Sequence, residues 1–94
     1  MASVEVISVG TRRFWNLFRA LPADIRKLAE KNYQLWCEDQ NHPSLHFRRL
    51  KGNEDRYTVR IGDHYRALGG RTSGTMVWVW IGTHSDYDRL VGSS

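Results

Sequence analysis

Between His46 and His84 the sequence gathers side chains able to handle a phosphate: His46, Arg48, Arg49, Lys51, Arg56, Arg60, His64, Arg66 and His84. Cutting RNA without a metal requires a base for the 2′-hydroxyl proton, a cation for the pentavalent phosphate and an acid for the 5′-oxygen. Histidine titrates near neutral pH and serves as acid or base, while the guanidinium fork matches two phosphate oxygens at once. Those two residue types can fill all three roles. Arg60, His64 and Arg66 come from adjoining predicted strands joined by a short turn, which lets them converge on one anion. The competing explanation is solvation, because arginine at alternating positions also keeps an uncovered sheet face wet. His42, ahead of Pro43, reads as a turn residue. Cys37 stands beside Trp36 and reads as a half-buried helix residue, with no second cysteine to give a zinc-ligand spacing.

The elements that must position these residues follow from periodicity. Val4, Val6 and Val9 suggest a first strand. Phe14, Leu17, Phe18 and Leu21 recur at helical spacing and predict a helix over about residues 11–20, starting at Thr11. Pro22 ends it and opens a second helix over 23–38, whose stripe is Ile25, Leu28, Ala29, Asn32, Leu35 and Trp36. The two form a helical hairpin. After the polar segment Glu38 to Ser44 the period changes to two, with strands predicted over Leu45 to Leu50, Tyr57 to Ile61, His64 to Leu68 and Thr75 to Thr83. Gly52 to Asp55 and Gly62-Asp63 read as turns, and Gly69 to Gly74 as a loose connection. The run Met-Val-Trp-Val-Trp-Ile at 76–81 is apolar on both faces and predicts an inner strand. His84 to Val91 is predicted as a short helix. Trp36, Trp78, Trp80 and Tyr65 read as packing residues, whereas Tyr87 lies in a polar ending and reads as an exposed ring on which an RNA base could stack.

Ninety-four residues make one domain, here residues 1–94, and exclude a two-domain enzyme. Forty percent hydrophobic residues suffice for a core, and a formal charge of +4 favours a polyanionic partner. The one cysteine and the arginines near the N-terminus fit a reducing cytoplasm better than secretion. The longest apolar run is far shorter than the roughly 20 residues a membrane span requires, so no membrane role is expected.

Three strings then acquire a common meaning: Leu50-Lys51-Gly52, Tyr57-Thr58-Val59-Arg60-Ile61-Gly62-Asp63-His64-Tyr65-Arg66, and Trp80-Ile81-Gly82-Thr83-His84-Ser85-Asp86-Tyr87. In this order, behind a helical hairpin, they resemble the RelE/ParE toxin superfamily of bacterial toxin–antitoxin systems, and its histidine-containing branch in particular. The resemblance covers nearly the whole chain. It implies an α+β, RelE-like fold, with the helical hairpin packed on one face of a twisted, mostly antiparallel sheet of four to five strands. It implies a metal-independent endoribonuclease that cuts messenger RNA at the ribosome, needs no cofactor and is held by a cognate antitoxin. By the same resemblance Arg66 contacts the scissile phosphate, His84 is the acid, and His64 and His46 are candidate bases. Arg49 and Lys51 fall at RNA-binding positions, Arg48 and Arg60 join them from the basic set, and Tyr87 matches the terminal aromatic. The alternatives keep the fold: a ParE-like inhibitor of DNA gyrase, or an inactive module that retains only RNA or antitoxin binding.

Overall fold

A computed structural model of the chain describes residues 8–50, 52 and 55–92. The elements run β1 (Ser8–Gly10), α1 (Arg12–Arg19), α2 (Ala23–Glu38), a 3-10 turn (Pro43–Leu45), β2 (Arg48–Arg49), β3 (Arg56–Ile61), β4 (Tyr65–Thr72), β5 (Thr75–Thr83) and α3 (His84–Val91). The strands lie in the order β1-β5-β4-β3-β2, with β1 parallel to β5 and the remaining pairs antiparallel. Local chemistry sets the helix starts. The Thr11 hydroxyl accepts from the Phe14 N–H to cap α1, and the Thr83 hydroxyl accepts from the Asp86 N–H to cap α3. Pro22 stands just before α2, where its carbonyl receives the N–H groups of Ile25 and Arg26.

Val59, Ile61, Ala67, Met76, Trp78 and Ile81 form the buried sheet face that meets Ala29 and Trp36 of α2, with Phe14, Leu17 and Phe18 of α1 packed alongside. A second cluster forms around Leu68, Trp80 and Tyr87, joined by Leu50 and Val91. One extra residue in β5 makes both clusters possible. Leu68 pairs with Trp80 but Gly69 pairs with Trp78, so Val79 is a bulge that reverses the alternation beyond it. Met76 and Trp78 therefore join the helical layer, Trp80 joins the second cluster, and Ile81 returns to the first. β5 is an inner strand, as its composition predicts. The face opposite the hairpin is not wholly solvated, however, because α3 closes the second cluster through Tyr87 and Val91.

Three other expectations change. The strand predicted over Leu45 to Leu50 shrinks to Arg48–Arg49, since Leu45 is drawn into the core from the 3-10 turn and His46 takes a left-handed conformation with φ 45°. The glycines after Leu68 extend β4 instead of ending it. A Cβ on Gly69 would lie 2.6 Å from Met76 Cε and 2.8 Å from Trp78 Cε3, so the strand needs glycine there for close packing. The reversal comes at Ser73-Gly74, both at positive φ. Of the valines predicted in the first strand only Val9 falls in β1, and Val4 and Val6 lie outside the described residues.

Tyr87 also moves, from expected RNA platform to core. It is 9% exposed and its ring centroid stands 6.2 Å from that of Trp80. Its place in a polar stretch hides this, because α3 turns Tyr87 inward between exposed neighbours, with Val91 one turn on. Tyr87→Ala is therefore expected to cost about 3 kcal/mol of stability through the cavity it leaves. Urea unfolding checks this: an unchanged midpoint would return Tyr87 to the surface.

Candidate active site

The sheet register fixes which basic side chains share the face away from the hairpin. Tyr65 and Ala67 pack with the helical layer, so alternation turns Arg66 to the opposite face. Arg66 pairs with Arg60 on β3 and with Gly82 on β5, which places a residue without a side chain beside its guanidinium. Among the described residues the Arg66 side chain has no hydrogen-bond or ion-pair partner. Arg60 is spent differently: its Nε donates to the Gly62 carbonyl at 3.0 Å and its Nη2 to Asp63 Oδ1 at 3.0 Å. The pair thus consists of one anchored cation and one available cation on adjacent strands.

The histidines gather at the same end of the sheet. The backbone N–H of His84 donates to the His64 carbonyl at 2.7 Å, tying the start of α3 to the β3–β4 turn. His84 Nε2 lies 3.3 Å from Asp88 Oδ1, one helical turn on, which fixes the ring's orientation and leaves Nδ1 for another partner. The His64 side chain is exposed. His46 is exposed as well, and its Nε2 stands 3.4 Å from Arg60 Nη1. Arg66, Arg60, His46, His64 and His84 thus lie at one end of the sheet.

The other candidates divide. Arg48 pairs with Thr58 and lies on the Arg66 face, in the row that continues through Leu68 and Trp80. Arg49 pairs with Tyr57 and packs against it, on the opposite face. Adjacent strand residues cannot share a face, which separates the two arginines. Lys51 lies outside the described residues. Two further residues were not among the expected site residues. Arg56 falls on the Arg66 face through the period-two spacing of Arg56, Thr58 and Arg60, a signal readable in the sequence. Asp88 meets His84 only because α3 begins at His84, which needs the helix boundary to be seen. Among the described residues no three His, Cys, Asp or Glu are grouped to hold a metal ion, and no helix is long and apolar enough to cross a membrane.

Residues 23–89, well over half of the chain and including every site residue just described, match the ParE-like toxin domain. This chain is a member of that toxin family. No curated protein matches the sequence. Among solved structures, the RelB–RelE antitoxin–toxin complex from Methanococcus jannaschii is similar at 22% identity, covering 87% of this chain and 98% of that one with a TM-score of 0.67. The isolated RelE toxin of E. coli is similar at 16% identity, 95% and 98% coverage and a TM-score of 0.67. The YoeB/ParE toxin from Agrobacterium tumefaciens is similar at 13% identity, 84% and 99% coverage and a TM-score of 0.65. This ParE-like chain thus has the α+β, RelE-like fold, with N-terminal helices on a five-stranded, mostly antiparallel sheet.

Proposed function

We propose that this ParE-like protein is the toxin of a type II toxin–antitoxin pair and acts in the cytoplasm as an endoribonuclease, cutting messenger RNA at the ribosome with side chains alone. The observation that carries this is the available guanidinium of Arg66, set across from Arg60 and beside Gly82 at the sheet end where His64 and His84 are joined. The 2′-oxygen loses its proton to a base and attacks phosphorus, charge collects on the phosphoryl oxygens beside Arg66, and the bond to the 5′-oxygen breaks as His84 Nδ1 delivers a proton. The products are a 2′,3′-cyclic phosphate and a 5′-hydroxyl. His64 is the better-placed base, because it sits against His84 in the backbone whereas the His46 ring faces the Arg60 guanidinium.

The antitoxin has a candidate seat on the other layer. A groove of about 530 Å³ between the helices and β1 is lined by Phe14, Trp15, Phe18, Tyr33 and Trp36. Val9, Trp15 and Tyr33 are exposed there, which is the kind of apolar surface a partner segment covers. The indole Nε1 atoms of Trp36 and Trp78, both in its lining, are buried without an acceptor. RelE from M. jannaschii was crystallised with its RelB antitoxin.

The ParE-like match favours a second reading, inhibition of DNA gyrase by binding. That role gives no work to a titrating group at position 84. Incubating the purified toxin with ribosomes programmed with messenger RNA, with and without excess chelator, separates the two. Cleavage is expected in both samples. Intact RNA in both removes the nuclease, and cleavage lost to the chelator removes the metal-free mechanism.

A further inference from the structure

Two ion pairs interleave along α3. His84 Nε2 faces Asp88 Oδ1 at 3.3 Å, and Arg89 Nη2 is paired with Asp86 Oδ1. Residues three or four apart share a helix face, so each pair forms about one turn apart. Asp86 and Arg89 satisfy one another, and among the described residues the Asp88 side chain has His84 alone as its partner. The backbone beneath the His84–Asp88 pair is held at both ends. At the first, the Thr83 hydroxyl caps α3 and the His84 N–H donates to the His64 carbonyl at 2.7 Å; at the second, the Asp88 carbonyl accepts from the Gly92 N–H at 2.8 Å. Between them Tyr87 is buried with Leu68 and Trp80, and Val91 packs alongside, so the helix cannot turn on its axis without opening that cluster. The carboxylate therefore stands on a fixed support beside the ring.

An ionised carboxylate only accepts hydrogen bonds, so the ring atom it holds is a nitrogen bearing a proton. We propose that Asp88 is a positioning residue for the cleavage: it keeps the protonated Nε2 of His84 toward itself and Nδ1 toward the leaving 5′-oxygen. The inference rests on the endoribonuclease reading, and Asp88 itself touches no RNA. The carboxylate prevents the other orientation of the ring. A ring turned over about its Cβ–Cγ bond sets Cε1 against Asp88 and Cδ2 where Nδ1 belongs, and a carbon there has no proton to give. In the productive orientation the imidazolium carries one proton on each nitrogen. The Nδ1 proton passes to the 5′-oxygen as its bond to phosphorus breaks, and the neutral ring keeps the Nε2 proton against Asp88. Nδ1 then takes a proton from solvent before the next turnover. The 3.3 Å separation is long for a charge-assisted bond, and catalytic contacts of this kind tighten when substrate is bound.

The test is single-turnover cleavage by wild type, Asp88→Ala and Asp88→Glu, with ordinary RNA and with RNA carrying sulfur in place of the 5′-leaving oxygen. On ordinary RNA, Asp88→Ala is expected to lower the maximal rate about three- to tenfold, less than the loss of a buried triad carboxylate because both side chains are exposed. The toxin concentration giving half that rate stays unchanged. The deficit disappears with the sulfur RNA, which needs no acid, and Asp88→Glu recovers most of the rate because it keeps a carboxylate. Added to His84→Gln, Asp88→Ala causes no further loss, since both changes act through one ring. A spectroscopic readout needs no activity: nitrogen-15 spectra of the His84 ring in alkaline solution are expected to place the proton on Nε2 in wild type and to divide it between both nitrogens in Asp88→Ala. Rates are compared where thermal melts show every variant folded; alanine keeps the backbone carbonyl that holds Gly92. An equal deficit with both RNAs, a further loss in the His84→Gln background, or identical ring spectra overturns the positioning role. Wild type that leaves both RNAs intact overturns the nuclease reading and the role together, whereas cleavage at one rate by wild type and Asp88→Ala overturns the role alone.

Discussion

Replacing Arg66 by alanine is expected to slow RNA cleavage about 100- to 1000-fold, the loss seen when a preorganised donor to a developing oxyanion is removed. The effect falls on rate and not on folding. Arg66 holds no described side chain in place, so its removal leaves no orphaned partner, and the backbone pairs to Arg60 and Gly82 do not depend on the side chain. Arg60 is a poor substitute, because bonds from its Nε to the Gly62 carbonyl and from its Nη2 to the Asp63 carboxylate hold its guanidinium toward the turn. Lysine at position 66 should recover only part of the rate, since a point charge does not reproduce two parallel hydrogen bonds to a phosphate. Single-turnover cleavage with saturating toxin reads this directly. A variant that cuts at the wild-type rate would remove Arg66 from the mechanism.

His84→Gln should be comparably severe, about 100- to 10,000-fold, because a positioned acid that moves with the leaving group is worth that much. Glutamine keeps the polarity and hydrogen-bonding of the side chain but cannot surrender a proton. The contact between the His84 N–H and the His64 carbonyl belongs to the backbone and survives the change, as does the Thr83 cap of α3. The deficit should therefore shrink for an RNA whose 5′-leaving oxygen is replaced by sulfur, which departs without protonation. An equal deficit with both substrates would mean that His84 acts by some route other than acid catalysis.

The fold was legible where one rule governed a segment. Phe14 to Leu21 and Ile25 to Trp36 repeat at helical spacing, Pro22 separates them, and α1 and α2 form within a residue of the predicted bounds. The inner position of β5 followed from the apolar run at 76–81, but the reason both its faces are covered did not. That depends on the Val79 bulge, which is a property of the pairing with β4 and not of either strand alone. Gly69 misled for a related cause: glycine marks either a turn or a close approach, and only the Met76 and Trp78 side chains across the ladder decide between them. At the candidate site, the short turn between predicted strands was enough to expect Arg60, His64 and Arg66 near one another, and Arg60 does pair with Arg66 beside the turn that carries His64. Face was harder. Arg48 and Arg49 look equivalent in sequence, yet a one-residue offset sends one toward Thr58 and the other onto Tyr57. Tyr87 failed for the opposite reason, since the inward pair Tyr87 and Val91 spans a single turn of a short polar helix and is a faint helical signal.

The chemistry of the RNA ends tests the central claim most directly. Messenger RNA is recovered from cells expressing wild type, Arg66→Ala or His84→Gln at matched protein levels, and its new termini are identified while growth is followed. The account predicts growth arrest with wild type, together with RNA fragments bearing 5′-hydroxyl and 2′,3′-cyclic phosphate ends, and the loss of both with either substitution. Growth arrest that persists in both variants with messenger RNA intact would contradict it and leave a toxin that acts by binding.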